Sequence, residues 1–325
     1  AHIKNGVGFF GTYFFLDEYG QTLLFKRGSD RAYNVLEPKF IKLLANDTVV
    51  VGLTEEGELY ASGNKISLDR WFDRVSRGRV TLNYMDIKIK DFSLTDSSLV
   101  YILKENGIMQ SDGRRQFVKA GGLWMHFPRT AEDAPLRPLQ VSHDPVVPGT
   151  LELQPSNSRS HNFLAVPEGS QDGLNQVFTI GHDSRYARVN PQINAGNATL
   201  NPVRVWAAQD ALFILTAEGR LYSRETNQKD YRLVRNNADF NSFNLVHVLP
   251  MNNHTYFLDN QNRLYLSGKT SDSLYKQITL VAQEVAWMQQ VSSEDVMLFH
   301  TDGSISLYQN GVAVSEVSRL KIKYP

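Results

Sequence analysis

The stretch Val49–Gly63, VVVGLTEEGELYASG, constrains this chain more than any other, because its pattern returns along the whole length. An apolar run leads to Thr54, a Glu-Glu-Gly turn follows, and Glu58–Ser62 alternates polar and apolar residues before Gly63. Period-two alternation on both sides of a short glycine turn is the pattern of a β-hairpin. The same phrase is legible at Tyr13–Phe25 (YFFLDEYGQTLLF), Val100–Gln110 (VYILKENGIMQ), Leu212–Ser223 (LFILTAEGRLYS), Tyr256–Gly268 (YFLDNQNRLYLSG) and Val296–Tyr308 (VMLFHTDGSISLY). With Gly20, Gly57, Gly107, Gly219, Asn262 and Gly303 as turn markers, the spacings are 37, 50, 112, 43 and 41 residues. The longest gap holds a weaker copy, Asn162–Ile180, whose Gly173 divides it into 66 and 46.

Seven hairpin units at a period in the forties predict an all-β fold, a seven-bladed β-propeller with antiparallel blades, formed as one domain over residues 1–325. No unit of this size buries both faces of its sheet alone, so neighbours must stack. A β-sandwich explains neither the spacing nor the Leu-Tyr that recurs after the turn (Leu59-Tyr60, Leu221-Tyr222, Leu264-Tyr265). Short apolar runs ahead of the hairpins predict the first strand of each blade: Phe40–Leu44, Ile87–Phe92, Leu151–Leu153, Val203–Trp206, Val246–Leu249 and Val285–Met288. Arg27–Tyr33 reads as a polar loop. At the C-terminus, Gly311–Val314 is expected to be the outer strand of the last blade. Arg319–Tyr324 (RLKIKY) is similar to Asp86–Asp91 (DIKIKD). Residues around Val317–Tyr324 are therefore expected to pair with the N-terminal blade beside Ile3–Phe10, closing the ring with both chain termini and hiding sheet edges.

Composition narrows the functional classes. Lys plus Arg and Asp plus Glu both number 34, so the whole chain has no electrostatic pull toward nucleic acid, and none is expected as a partner. No apolar run reaches eighteen residues, so no membrane insertion is expected. Cysteine is absent, which excludes disulfides, thiol catalysis and Cys-bound metal. Its absence suits a secreted or extracytoplasmic setting. Beginning at Ala1 without a charged-then-apolar leader, the chain reads as a processed protein or as one domain of a larger one. There is no GxSxG, P-loop or GxGxxG motif, and His143-Asp144 and His182-Asp183 lack zinc-site spacing. Most of the histidines are expected at loops and strand ends. No catalytic, cofactor-binding or metal-binding residue is predicted.

Two stretches stand out as candidate contact surfaces. Asp69–Arg79 (DRWFDRVSRGR) carries Arg70, Trp71 and Arg74, and Arg with Trp is a frequent pairing at binding hot spots. Asp69 and Asp73 sit among these arginines, which equally suits a solvated connection between blades. Asp112–Gly149, between the third and fourth blades, breaks the period. It holds Pro128, Pro135, Pro138, Pro145 and Pro148, which are expected to preclude a regular helix or central strand. Its cluster Leu123-Trp124-Met125-His126-Phe127, followed by Arg129, is too apolar for a free linker. The segment is either a recognition loop, with Trp124, Met125, His126, Phe127 and Arg129 as contacts, or a packed plug.

The blade phrases LTEEGELYASGN (Leu53–Asn64), LTAEGRLYS (Leu215–Ser223) and NHTYFLDNQNRLYLSG (Asn253–Gly268) resemble the repeat of the regulator of chromosome condensation family. Ala61 stands where that repeat has Trp after Tyr, only His254-Thr255 keeps its His-Thr pair, and its double glycine is missing. The resemblance implies a seven-bladed propeller acting through its faces as a protein-interaction module, including as the binding domain of a larger or secreted bacterial protein. It also implies an alternative, a guanine-nucleotide exchange factor for a small GTPase with 112–149 as its wedge. A lectin or enzyme using the channel mouth is a third class. No catalytic residue carries over, because the insertion matches no family motif residue by residue.

Overall fold

A computed structural model describes residues 2–9, 11–27, 32–46, 49–63, 82–94, 99–104, 109–111, 115–120, 123–128, 139–140, 152–154, 161–165, 176–180, 186–189, 202–207, 211–225, 231–251, 253–268, 277–292 and 294–319. These residues form antiparallel sheets of consecutive strands. The first sheet is β1 (Ile3–Phe9), β2 (Thr12–Asp17), β3 (Thr22–Lys26) and β4 (Ala32–Leu36). A nine-stranded sheet runs through β5 (Phe40–Ala45), β6 (Val49–Thr54), β7 (Glu58–Gly63), β8 (Asn83–Leu94), β9 (Leu99–Leu103), β10 (Met109–Ser111), β11 (Arg115–Ala120), β12 (Leu123–Pro128) and β13 (Leu139–Gln140). Four more four-stranded sheets follow: β14 (Glu152–Gln154) to β17 (Tyr186–Val189) through β15 (His161–Ala165) and β16 (Gln176–Ile180); β18 (Pro202–Ala207), β19 (Ala211–Thr216), β20 (Leu221–Glu225) and β21 (Arg232–Val234); β22 (Leu245–Pro250), β23 (His254–Asp259), β24 (Leu264–Gly268) and β25 (Thr279–Ala282); and β26 (Val285–Gln290), β27 (Asp295–His300), β28 (Ser304–Gln309) and β29 (Val312–Arg319). Every predicted hairpin and first strand falls on a pair or strand of this series. Among the described residues five sheets have four strands.

The hairpin turns close in one way. Gly20, Gly57, Gly219, Asn262 and Gly303 have φ of 81°, 86°, 74°, 61° and 86°, the left-handed region that the turn requires and that glycine or asparagine enters cheaply. Gly107 and Gly173 lie outside the described residues. Three residues before four of these markers, Gly20, Gly57, Gly219 and Asn262, a buried side-chain oxygen holds the turn. Asp17 Oδ1 accepts from Tyr19 N at 2.9 Å and Gln21 N at 2.8 Å, and Asp259 Oδ1 accepts from Gln261 N and Arg263 N, both at 2.9 Å. Thr54 Oγ1 does the same for Glu58 N at 3.0 Å and Thr216 Oγ1 for Arg220 N at 3.3 Å. Side-chain mimicry of a backbone turn is the known strength of Asp and Thr.

A second recurrence lies in the first strands. β1, β5, β8, β18, β22 and β26 each slip register by one residue at Lys4, Ile41, Lys90, Val203, Val246 and Ala286. A bulge of this kind raises the local twist.

The chain forms two compact units: residues 1–64, 73–85 and 234–325, and residues 65–72 and 86–233. In the first unit consecutive sheets pack face to face. The second strands are apolar on both sides because both faces are covered, and every residue of β2 and β6 is buried. Phe15 points into a cluster with Ile3, Phe25 and the sixth sheet's Phe299 and Ile305, whereas its neighbour Phe14 points into one with Phe40, Leu43 and Val50 of β5 and β6. Leu249, Leu258 and Leu264 pack on Met288, Val296 and Leu298, joining the fifth and sixth sheets. The first sheet therefore meets the last, and Ile3 N donates to Thr301 O at 2.9 Å. In the second unit, Trp206 of β18 and Phe213 of β19 are fully buried.

Four expectations need correction. Val317–Arg319 do not join the first sheet: Ser304 pairs with Arg319 and Ile305 with Ser318, so Val312–Arg319 is one outer strand on β28. Leu320–Tyr324 lie outside the described residues. Gly311 is a turn residue with φ of 81° rather than part of that strand. The polar loop expected over Arg27–Tyr33 is shorter, because Ala32 pairs with Phe25. Finally, prolines do not keep strands out of 112–149: β11 and β12 occupy its proline-free part, with Pro128 the last residue of β12.

Candidate functional site

The segment expected to be an insertion extends its sheet. β11 and β12 pair from Arg115–Pro128 to Ala120–Leu123, setting Trp124 opposite Lys119, Met125 opposite Val118, His126 opposite Phe117 and Phe127 opposite Gln116. Among the described residues, β13 then pairs with β12 at Met125 and His126. The structure thus brings Trp124, Met125, His126 and Phe127 together on one strand beyond the four-strand repeat. Arg129, Arg70, Trp71 and Arg74 lie outside the described residues.

β8 changes role along its length. Asn83–Met85 belong to the first unit, while Ile89–Leu94 pair with β9 in the second, and Asp86 between them has φ of 56°. A left-handed residue that is not glycine marks a backbone held there by its surroundings.

Sequence reasoning missed a second set of residues. The position just after each bulge is Asn5, Lys42, Asp91, Arg204, His247 or Trp287, set opposite Leu16, Leu53, Ile102, Leu215, Leu258 or Phe299. A polar or indole group at one register position of six first strands is the signal that would have found it. In the first unit two of these side chains, Asn5 and His247, reach the following sheet. Asn5 Nδ2 donates to Leu43 O at 3.4 Å. His247 stacks on Trp287 with ring centroids 4.6 Å apart and planes 13° apart.

His247 is the chemically distinctive member. It is mid-strand and buried, an exception to the loop and strand-end positions expected of most histidines, because its ring fills the seam between the fifth and sixth sheets. Its Nδ1 has no hydrogen-bond partner, and burial lowers its pKa from 6.5 to about 4. A neutral imidazole sealed against an indole is a packing element with no access to substrate. In the fourth sheet, burial likewise raises the Tyr231 phenol to about 12, with the Arg224 guanidinium 5.0 Å from its ring centroid. Among the described residues, no three His, Asp or Glu side chains converge as a metal site would need.

No protein-family model matches this chain, and no curated protein sequence does either. Solved structures do. Yeast RCC1 (Prp20), in its complex with Kap60, is similar with a TM-score of 0.50 at 12% identity over 89% of this chain and 76% of that one. Human WBSCR16 is similar with a TM-score of 0.52 at 10% identity, covering 87% and 82%. At such identities the likeness shows a shared fold, the RCC1-like β-propeller.

Proposed function

We propose that this chain is a protein-interaction module, one seven-bladed propeller that engages another protein through the β11–β13 extension. The observation that carries the reading is β12, an apolar strand built onto a sheet beyond the four strands of the repeat. A strand written Leu-Trp-Met-His-Phe has no role in closing a four-stranded blade, and aromatic and Met residues are what interface cores use. A count of seven is supported by dividing the nine-stranded sheet at Asp86, with β5–β8 as one blade and β8–β13 as another beside the five four-stranded sheets. The fold supports the reading by analogy, since yeast RCC1 was captured with a protein, Kap60, bound.

The test begins with affinity capture by the intact chain, followed by Trp124→Ala plus Phe127→Ala in the recovered complex. Binding should fall while the melting temperature stays nearly constant. A loss of several kcal/mol of stability, as truncation of core side chains gives, would make the strand a structural plug and end the proposal. Nucleotide release from a small GTPase separates it from the exchange-factor alternative.

A further inference from the structure

Hydrogen bonds string the hairpin-turn ends of four consecutive sheets of the first unit into one surface. Asn260 N donates to Asn244 O at 2.8 Å, and Asn262 O accepts from Val285 N at 2.8 Å. Thr301 N donates to Glu284 O and Thr301 O accepts from Ile3 N, at 2.8 and 2.9 Å. Glu18 N donates to His2 O and Gly20 O accepts from Phe40 N, at 2.9 and 3.0 Å. The fifth, sixth and first sheets and β5 therefore present their turn ends side by side.

This surface carries large apolar groups in the open. Tyr19 is 67% exposed and Ile41 54%, next to each other across the Gly20–Phe40 bond; Phe243 is 65% exposed and Val246 37%, three residues apart. Neither aromatic is demanded by its backbone. Tyr19 occupies the turn position where the other hairpins have Glu56, Glu218, Gln261 and Asp302. The turn at Phe243 is set by Asn241, whose Oδ1 accepts from Phe243 N at 3.0 Å. Around these anchors the exposed charges are mainly acidic: Glu18, Glu37, Glu55, Glu56, Asp239, Glu284 and Asp302, against Lys4, Lys39 and Arg235.

We propose that this turn end of the first unit is a docking surface for a basic polypeptide segment, with Tyr19/Ile41 and Phe243/Val246 as its two apolar anchors. Charge complementarity decides the occupant. An acidic field draws in Lys- and Arg-rich chains and repels acidic ones, and exposed aromatics supply the contact area that charges alone lack. The surface lies in a different unit from β12, so it does not depend on the reading above.

Two labelled synthetic peptides with the same apolar positions, one bearing Lys and Arg and the other Glu, are titrated against the intact chain by fluorescence anisotropy. The basic peptide should bind, more weakly as NaCl is raised, and the acidic one should not. Tyr19→Ser plus Phe243→Ser should weaken binding by about ten-fold or more, and Trp124→Ala plus Phe127→Ala should leave it unchanged. If the serine pair lowers the melting temperature, Glu18→Gln plus Glu284→Gln reads the same surface through charge alone and should also weaken binding. The proposal is overturned by equal binding of both peptides, by no binding of the basic one, or by indifference to these variants. It is overturned too if sedimentation shows that the serine pair dissolves a self-dimer, since the occupant would then be a second copy of the chain.

Discussion

Gln289 and Gly8 stand 281 positions apart in the chain and are joined twice by one carboxamide. Gly8 N donates to Gln289 Oε1 at 2.7 Å, and Gln289 Nε2 donates to Gly8 O at 3.1 Å. The seam between the last sheet and the first thus rests on a polar clasp as well as on the Phe15–Phe299 contact, with ring centroids 5.7 Å apart.

Gln289→Ala should therefore cost about 1–3 kcal/mol, since it strands a donor and an acceptor of β1. The neighbouring Gln290→Ala is the control. Its amide bonds only to Ser292 O on the exposed side, and its loss should be within about 0.5 kcal/mol. Denaturant melts of the two variants check the contrast.

Gly6 faces the other side of the same seam, where an added Cβ would collide with the Phe299 ring. Gly6→Ala should destabilise by about 1–3 kcal/mol through overpacking. Phe299→Leu in the Gly6→Ala background should recover part of that loss. A double-mutant cycle with no coupling between the two sites would contradict the geometry.

His247 makes stability depend on pH in a stated direction. Its folded pKa of about 4 lies below the ordinary 6.5, so the unfolded chain binds the proton more readily. The contribution is fully present above pH 6.5 and is lost as pH falls toward 4, reaching about 3 kcal/mol at most. His247→Phe, which keeps a ring against Trp287, should flatten the acid limb of stability between pH 6.5 and 4. An unchanged slope in that window would place the proton uptake elsewhere.

The turn oxygens should rank by how many bonds they hold. Asp259 also receives Arg263 Nε at 2.8 Å on Oδ2, and its side chain is 2% exposed beside a partner at 31%. Asp259→Ala should cost about 2–3 kcal/mol, and Thr216→Ala, whose Oγ1 holds Arg220 N at 3.3 Å and otherwise bonds the exposed Glu218 carboxylate, about 0.5–1.5 kcal/mol. Urea titrations showing no loss for either variant would mean that the turns are held by backbone alone, and the reverse order would contradict the ranking.

How much of this was legible in the sequence depended on whether a feature is local. Hairpins and turn markers were readable because alternation and a left-handed Gly or Asn act within a few residues, as at Leu53–Leu59 around Gly57. First strands such as Val285–Met288 were readable because burial of both faces keeps them apolar. The destination of the C-terminal stretch was not: Val317 has the same character in either sheet, and only the pairing partner of Arg319 decides it. Likewise β11 and β12 were hidden by prolines counted over 112–149 rather than located, since Gly113 to Phe127 contains none. His247 looked ordinary because the Trp287 that covers it belongs to the next repeat.

The bond from Ile3 to Thr301 also sets a timetable. On a ribosome that adds about 5–20 residues per second, the N-terminal sheet waits roughly 15–60 s for its last neighbour to be made. During that interval Ile3, Phe15 and Phe25 present a bare aromatic face that nothing yet synthesised can cover. Until the sixth sheet is made, this face is where the nascent first sheet is most prone to sticking to other chains, and the arrival of Phe299 and Ile305 closes it.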